Sequence, residues 1–261
     1  MEKALAVFLP LLVFGTNFAY AEEIFITYTH DTGNIIFDGL WTFTDEWKRS
    51  SQDIIDFEDG SKLAIRTSHD YDNLYVLIDF ISDTSIERLA DRGIVCIDGN
   101  SDRGNIPKSD DYCFYVAMGS ENPITLQGGH LLGHKGHYKK IENHDNLIGI
   151  GGISDKYDRY SKTPHSTYEF KIPIEIFGRS DSFGFYLGSF DAKTGNIYNW
   201  PKDSKNENYP FIPIPNDWGT LVSPDKSIPE FSTSLILLFS LTIGVILSKT
   251  FIIKNKIDFR K

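Results

Sequence analysis

Cysteine is scarce in this chain: Cys96 and Cys113 are the only two among 261 residues, and neither has the sequence context of a catalytic thiol. Both lie in apolar segments that a polar loop joins, so as neighbouring antiparallel strands they can face each other and pair. We predict a disulfide between them, since the chain also carries the export signals described below and oxidising compartments favour disulfides. Two buried free thiols are the alternative that the sequence leaves open.

Positive charge is also scarce, because 26 lysines and arginines stand against 36 acidic residues and give a net charge of −10. Several of the basic residues lie between Lys249 and Lys261, so the remainder of the chain is more acidic still. Phosphate binding needs a basic face, and the sequence therefore excludes a nucleic-acid partner. An acidic surface suits cation binding, or simply solubility outside the cell.

Recognisable catalytic motifs are absent. No Gly-x-Ser-x-Gly elbow, phosphate-binding loop or His-Glu-x-x-His helix occurs in the sequence. We therefore predict a binding protein and not an enzyme. Glycoside hydrolysis stays an open alternative, because its two carboxylates only need to meet in space.

Helical periodicity is scarce between Glu22 and Val222, where short β-branched and aromatic runs alternate with turn residues. This pattern predicts an all-β fold, an antiparallel β-sandwich of the jelly-roll-like kind, over residues 22–222. Only Asp45–Ser50 and Thr84–Ala90 have a helical pattern, of a turn or two each. The predicted strands are Ile24–Tyr28, Lys62–Thr67, Leu74–Phe80, Gly93–Asp98, Tyr112–Met118, Leu147–Ile153, Ser166–Ile172, Ser182–Phe190, Ile197–Trp200 and Trp218–Val222.

The N-terminal end has the features of a secretory signal peptide. A charged pair precedes an apolar stretch from Ala4 to Phe14, and Ala19-Tyr20-Ala21 offers small residues for a signal peptidase. We predict a signal peptide over residues 1–21 and a mature chain that begins at Glu22.

The C-terminal end has the features of a membrane anchor. Residues 232–248 are uncharged, and a snorkelling Lys249 lets the next four residues add to the ~17–25 that a helix needs to span a bilayer. Because basic residues stay on the cytoplasmic side, the sandwich would lie outside, at the cell surface. A buried core helix is the alternative. We predict a linker and sorting motif over residues 223–231, a transmembrane helix over 232–253 and a basic cytoplasmic tail over 254–261.

The richest polar loop runs from Asp98 to Asp111 and has the residue types of a calcium site. Carboxylate and amide oxygens spaced around glycines can converge on a hard cation that takes six to eight oxygen ligands. The predicted ligands are Asp98, Asn100, Asp102 and Asp111. A solvated hairpin loop capped by its own side chains is the alternative.

Histidines cluster in a second loop, at His130, His134 and His137, with His144 further on. Imidazole is a common ligand for zinc or copper. The spacing matches no standard metal site, and we favour a polar loop with pH-sensitive charge.

Aromatic residues in a proline-rich region form a third candidate site. Flat rings held by extended loops can stack on sugar faces, while neighbouring carboxylates and amides bind the hydroxyls. The predicted ligand-binding residues are Tyr198, Trp200, Tyr209 and Trp218. Core packing is the commoner use of a tryptophan and is the alternative for each ring.

Several short motifs, taken in order, resemble family 9 carbohydrate-binding modules and their DOMON-like sandwich relatives. The resemblance implies a β-sandwich that binds sugars, often with calcium and in other branches with haem. It matches Trp200 to an aromatic-Pro position and the Asp98 to Asp111 loop to an acidic strand-connecting loop. The matching segments are Phe37-Asp38-Gly39, Asp45-Glu46-Trp47, Lys62 to Thr67, Asp72 to Ile78, Asp83, Asp98 to Asp111, Tyr168 to Pro173, Phe183-Gly184-Phe185, Trp200-Pro201 and Trp218-Gly219.

Haem is not expected despite that resemblance. Met118 is the only methionine after the start residue, and no Met–His pair is placed to supply axial ligands. Calcium is the one cofactor that we predict.

The C-terminal end also resembles the sorting signals of archaeal surface proteins. In these signals a Pro-Glu-Phe motif precedes a membrane span and a basic tail, and Pro229, Glu230 and Phe231 provide that motif here. The resemblance implies processing by an archaeosortase-like transpeptidase that transfers the protein to a lipid.

We conclude from the sequence that the chain is a surface-anchored, non-enzymatic carbohydrate-binding module that calcium stabilises. Its expected partners are an envelope or environmental glycan, the membrane and the processing enzyme. An extracytoplasmic metal-binding or haem-binding redox protein is the first alternative, and a structural envelope component is the second.

Overall fold

The computed structural model describes residues 22–29, 32–131, 137–202, 204 and 212–223. The predicted signal peptide, sorting motif, membrane span and tail lie outside these residues, as do Tyr209 and His134. Within the described ranges, no helix has the length and apolar character needed to cross a membrane.

Strands dominate the described chain. They are β1 (Glu23–Phe25), β2 (Thr27–Tyr28), β3 (Ser51–Asp56), β4 (Lys62–His69), β5 (Asn73–Phe80), β6 (Arg92–Asp98), β7 (Asp111–Ala117), β8 (Ile124–Gln127), β9 (Lys139–Ile141), β10 (Ile148–Ile153), β11 (Ser166–Pro173), β12 (Ser182–Asp191), β13 (Asn196–Trp200) and β14 (Gly219–Val222). Every strand predicted from the sequence overlaps one of these. β3, β8 and β9 were not predicted, because their short or largely polar segments lack a clear apolar alternation.

Two sheets form the fold. Sheet A has the order β1-β14-β12-β6-β7-β8-β9, with β13 also paired to β12, and sheet B has the order β10-β11-β5-β4-β2, with β3 also paired to β4. The predicted β-sandwich is confirmed. Its pairs are antiparallel, apart from β1 with β14 and β2 with β4, which are parallel.

The core lies between the sheets because apolar residues alternate along the central strands. On β5, Leu74, Val76, Ile78 and Phe80 point into the core, where they join Phe170 of β11 and residues from sheet A. The intervening β5 residues are apolar or buried as well, since a further layer covers the other face of sheet B.

That layer consists of residues 32–50, which we call the covering loop. Trp41 and Trp47 from the covering loop pack against Tyr75 and Leu77 of β5. The helix predicted over Asp45–Ser50 is wrong: the segment forms successive turns, in which Lys48 N–H donates to the Asp45 carbonyl and Ser50 N–H to the Trp47 carbonyl. Thr84–Ala90 also lacks an α-helix and forms irregular structure that ends in a turn.

The two cysteines lie directly opposite each other on β6 and β7 and form a disulfide. They face the outer side of sheet A, where they pack in a second apolar cluster with Tyr186 and Trp218. The bridge closes a loop with a sequence separation of 17 residues. A loop of this size corresponds to about 3 kcal/mol of stabilisation in the chain-entropy account.

Candidate functional site

Glu169 of β11 holds the covering loop against sheet B. Its fully buried carboxylate accepts hydrogen bonds from the backbone N–H of Asp38 (3.0 Å), the backbone N–H of Gly39 (2.8 Å) and the indole N–H of Trp47 (2.9 Å). Gly39 has a φ of +78°, and a Cβ there would lie 2.6 Å from the Cα of Gly152. Only glycine fits this approach of the covering loop to β10.

Burial sets the proton affinity of Glu169. It raises the pKa of the carboxyl to about 8, with further upward contributions from Glu46 and Asp38, although the N–H groups of Gly39 and Trp47 act in the opposite direction. The cost of removing a carboxylate from water therefore exceeds the stabilisation that the donated hydrogen bonds provide.

A second buried carboxylate, Glu46, organises the covering loop from within. It accepts hydrogen bonds from the backbone N–H of Ile36 and of Thr42, each at 2.7 Å. Burial raises the pKa of Glu46, and these two backbone donors oppose the rise. The covering loop thus obtains partners for its backbone N–H groups from carboxylates instead of from a strand or helix.

A cavity of about 550 Å³ lies beside the covering loop. Its exposed lining combines the ring of Phe43 with hydrogen-bonding side chains, among them Asn34, Asp45, Lys48 and Arg49. Ser68 of β4 and the largely buried Trp47 and Glu46 form deeper parts of the wall. The volume and the lining of this cavity fit a small polar ligand that has an apolar face.

A cluster of three carboxylates lies on the outer side of sheet A, where β6 ends and β7 begins. Asp98 and Asp111 are cross-strand partners and almost fully buried, and Asp110 adjoins them. One oxygen of each residue lies within 4.8 Å of the others. Asp98 Oδ1, Asp110 Oδ2 and Asp111 Oδ1 are buried without a hydrogen-bond partner, as is the nearby hydroxyl of Tyr138.

The electrostatics of this cluster favour a cation. Burial and the neighbouring carboxylates raise the pKa of Asp111 to about 7, while the backbone N–H of Lys108 opposes the rise. Burial and the same carboxylates raise the pKa of Tyr138. An oxygen-only set with unsatisfied buried acceptors is the kind of site that calcium occupies.

Only part of the predicted calcium ligand set comes together. Asp98 and Asp111 are in the cluster, but Asn100 is exposed and Asp102 points to Lys108, whose Nζ lies 2.7 Å from its Oδ1. Asp110, which the prediction omitted, takes their place. The cross-strand register of β6 and β7 places Asp98 opposite Asp111, and Asp110 joins them as the chain neighbour of Asp111.

The described members of the predicted aromatic platform, Tyr198, Trp200 and Trp218, are buried. Trp218 is 1% exposed, stacks on Tyr186 and donates its indole N–H to the Pro213 carbonyl at 3.0 Å. Trp200 packs near Phe185, and Tyr198 lies against core rings while its hydroxyl donates to Asp59. Tyr198 and Trp200 belong to the core between the sheets, whereas Trp218 belongs to the second apolar cluster on the outer side of sheet A.

The histidines of the second loop do not converge on one point in the described chain. The backbones of His130 and His137 pair, whereas the ring of His144 contacts Glu175. His165, which was not among the predicted site residues, lies in a buried polar cluster with Asp79 and Asp158. The sequence signal that could have identified His165 is its position between turn residues and the apolar strand β11.

Comparison of the sequence with known protein families and with curated proteins gives no match. Among solved structures, a family 9 carbohydrate-binding module from Caldicellulosiruptor kristjanssonii, in complexes with cellotriose and with glucose, has a TM-score of 0.49 and 14% sequence identity. The cellotriose complex covers 80% of this chain and 98% of its own, and the glucose complex covers 80% and 100%. A proposed carbohydrate-binding protein from Bacteroides uniformis has a TM-score of 0.47 and 10% identity, with 78% and 99% covered. At such values these similarities assign neither a family nor a ligand.

Replacing Glu169 by glutamine should reduce the pH dependence of stability. The folded pKa of about 8 exceeds the ordinary value of 4.5, so between these pH values the folded protein holds a proton that the unfolded chain releases. The unfolding free energy should fall as pH rises through this window, by up to about 1.4 kcal/mol per pH unit from this group. Urea unfolding from pH 5 to pH 8 measures the slope, which should be shallower in Glu169→Gln.

Glu142→Gln, a change at an exposed position, is the matched control and should keep the wild-type slope. Only slopes are compared, because the glutamine amide would face the indole N–H of Trp47 and lower stability at every pH. Identical slopes for wild type and Glu169→Gln would show that the group does not titrate in this window.

Proposed function

We propose that this protein is a non-catalytic carbohydrate-binding module whose sugar site is the cavity beside the covering loop. The observation that carries this proposal is the lining: an exposed aromatic ring, Phe43, stands among exposed side chains that donate and accept hydrogen bonds. Sugar rings present an apolar face and many hydroxyl groups, so they need both kinds of contact at once.

Mixed charge in the cavity also supports a neutral, hydroxyl-rich ligand. Asp45 and Lys48 form an ion pair with a distance of 3.0 Å, and both side chains are largely exposed. Such a pair can donate to one hydroxyl and accept from another without an excess of charge of either sign. The sequence motifs that resemble family 9 modules agree with this reading.

Calcium binding at Asp98, Asp110 and Asp111 is the second part of the proposal. The three unpartnered carboxylate oxygens and the Tyr138 hydroxyl would supply oxygen ligands, and the ion would offset the buried negative charge. The cluster lies on sheet A, whereas the cavity lies against sheet B, so calcium would stabilise the domain without contacting the sugar.

Sugar binding is tested with a glycan array that includes glucose and cellotriose, followed by titration calorimetry on the hits. Phe43→Ala should weaken the affinity for a hit at least about tenfold, because the ring supplies the stacking surface. Tyr157→Ala removes a more exposed ring outside the cavity and should leave the affinity unchanged. An array without hits would refute the function, while equal losses in both variants would refute only the location.

Calcium stabilisation is tested by thermal melts in millimolar calcium and in chelator. An ion that binds only the folded chain stabilises it by about 2.7 kcal/mol at one hundred times its Kd. Asp110→Asn should reduce the calcium-dependent shift, because it removes a charged ligand at a partly exposed position. Asp102→Asn should keep the shift, since Asp102 points to Lys108. Equal melting temperatures with calcium and chelator would rule the site out.

Surface display is the third part, and it rests on the sequence signals at the two ends of the chain. The signal-like residues 1–21, the Pro229-Glu230-Phe231 motif and the apolar span support export and anchoring. Protease added to intact cells should degrade the sandwich, and the intact mass of the isolated protein should show a C-terminus near the motif. A protected sandwich would refute display, and a C-terminus at Lys261 would refute only the sorting step.

A further inference from the structure

A buried polar cluster beneath the loop that joins β10 to β11 contains His165, Asp79 and Asp158. His165 is 0% exposed, Asp79 is 1% exposed and Asp158 is 8% exposed. One potential ligand atom from each residue lies within 4.8 Å of the other two. The cluster is on the side of sheet B that faces away from the core, and none of its members lines the sugar cavity.

The ring of His165 has a defined orientation. Its Nδ1 lies 2.7 Å from the carbonyl oxygen of Thr163 and 2.8 Å from the hydroxyl of Ser154; because the carbonyl can only accept a hydrogen bond, we assign the proton to Nδ1. Its Nε2 consequently points at the carboxylates, 2.7 Å from Asp79 Oδ1 and 3.8 Å from Asp158 Oδ1. Donation from the distal ring nitrogen to a backbone carbonyl is the usual arrangement behind a histidine that binds a metal.

The carboxylates of the cluster have acceptor capacity that the protein does not use. Asp79 Oδ2 and Asp158 Oδ2 are buried and have no hydrogen-bond partner in the described structure. Asp158 Oδ1 accepts from the backbone N–H groups of Tyr160 and Ser161, which fixes this carboxylate in place. Buried carboxylate oxygens without partners point to a missing positively charged group.

The nearby guanidinium of Arg66 does not supply that charge. It donates to the Tyr160 hydroxyl at 2.8 Å, to Gln52 Oε1 at 2.6 Å and to carbonyls of the covering loop. The carboxyl groups of Asp79 and Asp158 therefore receive no hydrogen bond from this guanidinium. A divalent cation would balance both.

We propose that His165 Nε2, Asp79 and Asp158 bind a divalent transition-metal ion, for which zinc fits the donor set best. Imidazole nitrogen with carboxylate oxygen suits zinc, whereas calcium and magnesium prefer oxygen alone. Ligands about 2.1 Å from zinc lie ~3.4 Å apart in a tetrahedron, so the Asp79 carboxylate has to withdraw by less than about 1 Å from Nε2. These three side chains leave the fourth zinc position to water or to a second carboxylate oxygen, and the bound ion would join β5 to the loop between β10 and β11.

The test uses the full chain, stripped with a chelator and then titrated with zinc or with cobalt as a spectroscopic probe. We expect stoichiometric zinc by mass spectrometry of the metal content, a higher melting temperature with zinc, and visible cobalt absorption typical of a low-coordinate site. Asp158→Asn keeps the acceptor for Tyr160 and Ser161 but removes the charge, and it should lower zinc affinity at least about tenfold.

Asp155→Asn in the same loop is the matched control, since Asp155 only accepts from the backbone N–H of Tyr157. His144→Gln controls for zinc held by exposed histidines, and both controls should bind zinc as the wild type does. Equal zinc affinity in Asp158→Asn and Asp155→Asn, or no zinc binding by the wild type, would overturn the proposal. Should Asp158→Asn fail to fold, cobalt absorption by the wild type decides alone, and its absence refutes the site.

Discussion

The three hydrogen bonds that converge on Glu169 determine the shape of the outer side of sheet B. They hold Asp38, Gly39 and Trp47 against β11, and the covering loop in turn forms one wall of the cavity. Burying Glu169 costs free energy because its carboxylate is fully removed from water. The hydrogen bonds nevertheless form, because without this carboxylate the N–H donors of the covering loop would lose their acceptor. Loss of this one acceptor would leave the loop without a fixed path and the cavity without a wall.

Buried carboxylates in this protein fall into two kinds, which differ in what surrounds them. Glu46 and Glu169 accept backbone or indole N–H groups and serve to shape a loop. Asp98 and Asp79 each keep an oxygen without a partner and lie among further carboxylates. The same chemical group therefore acts as a structural acceptor at one position and as a candidate ion ligand at another, according to whether N–H donors are within reach.

The strands could be predicted from the sequence because their signal is local. β5 and β11 are runs of β-branched and aromatic residues between turn residues, and both were identified close to their observed bounds. The covering loop and its cavity could not be predicted, since Glu169 and Asp38 are 131 residues apart. Of the residues predicted to bind calcium, Asp98 and Asp111 come together because the β6–β7 register places them opposite each other, Asp110 joins them, and Asn100 is exposed. The proline-rich sequence predicted exposed tryptophans, although Trp200 is buried in the core and Trp218 in the apolar cluster on the outer side of sheet A.

The parallel pairing of β1 with β14 has a mechanical consequence. Glu23, Ile24 and Phe25 pair with Thr220, Leu221 and Val222, so the first and last strands of the sandwich run side by side in the same direction. A force that pulls the two ends apart would slide these strands along each other and load their hydrogen bonds together. In an antiparallel pair of terminal strands, the same force would instead break the interstrand hydrogen bonds one after another. The sandwich is therefore built to resist tension between its two ends.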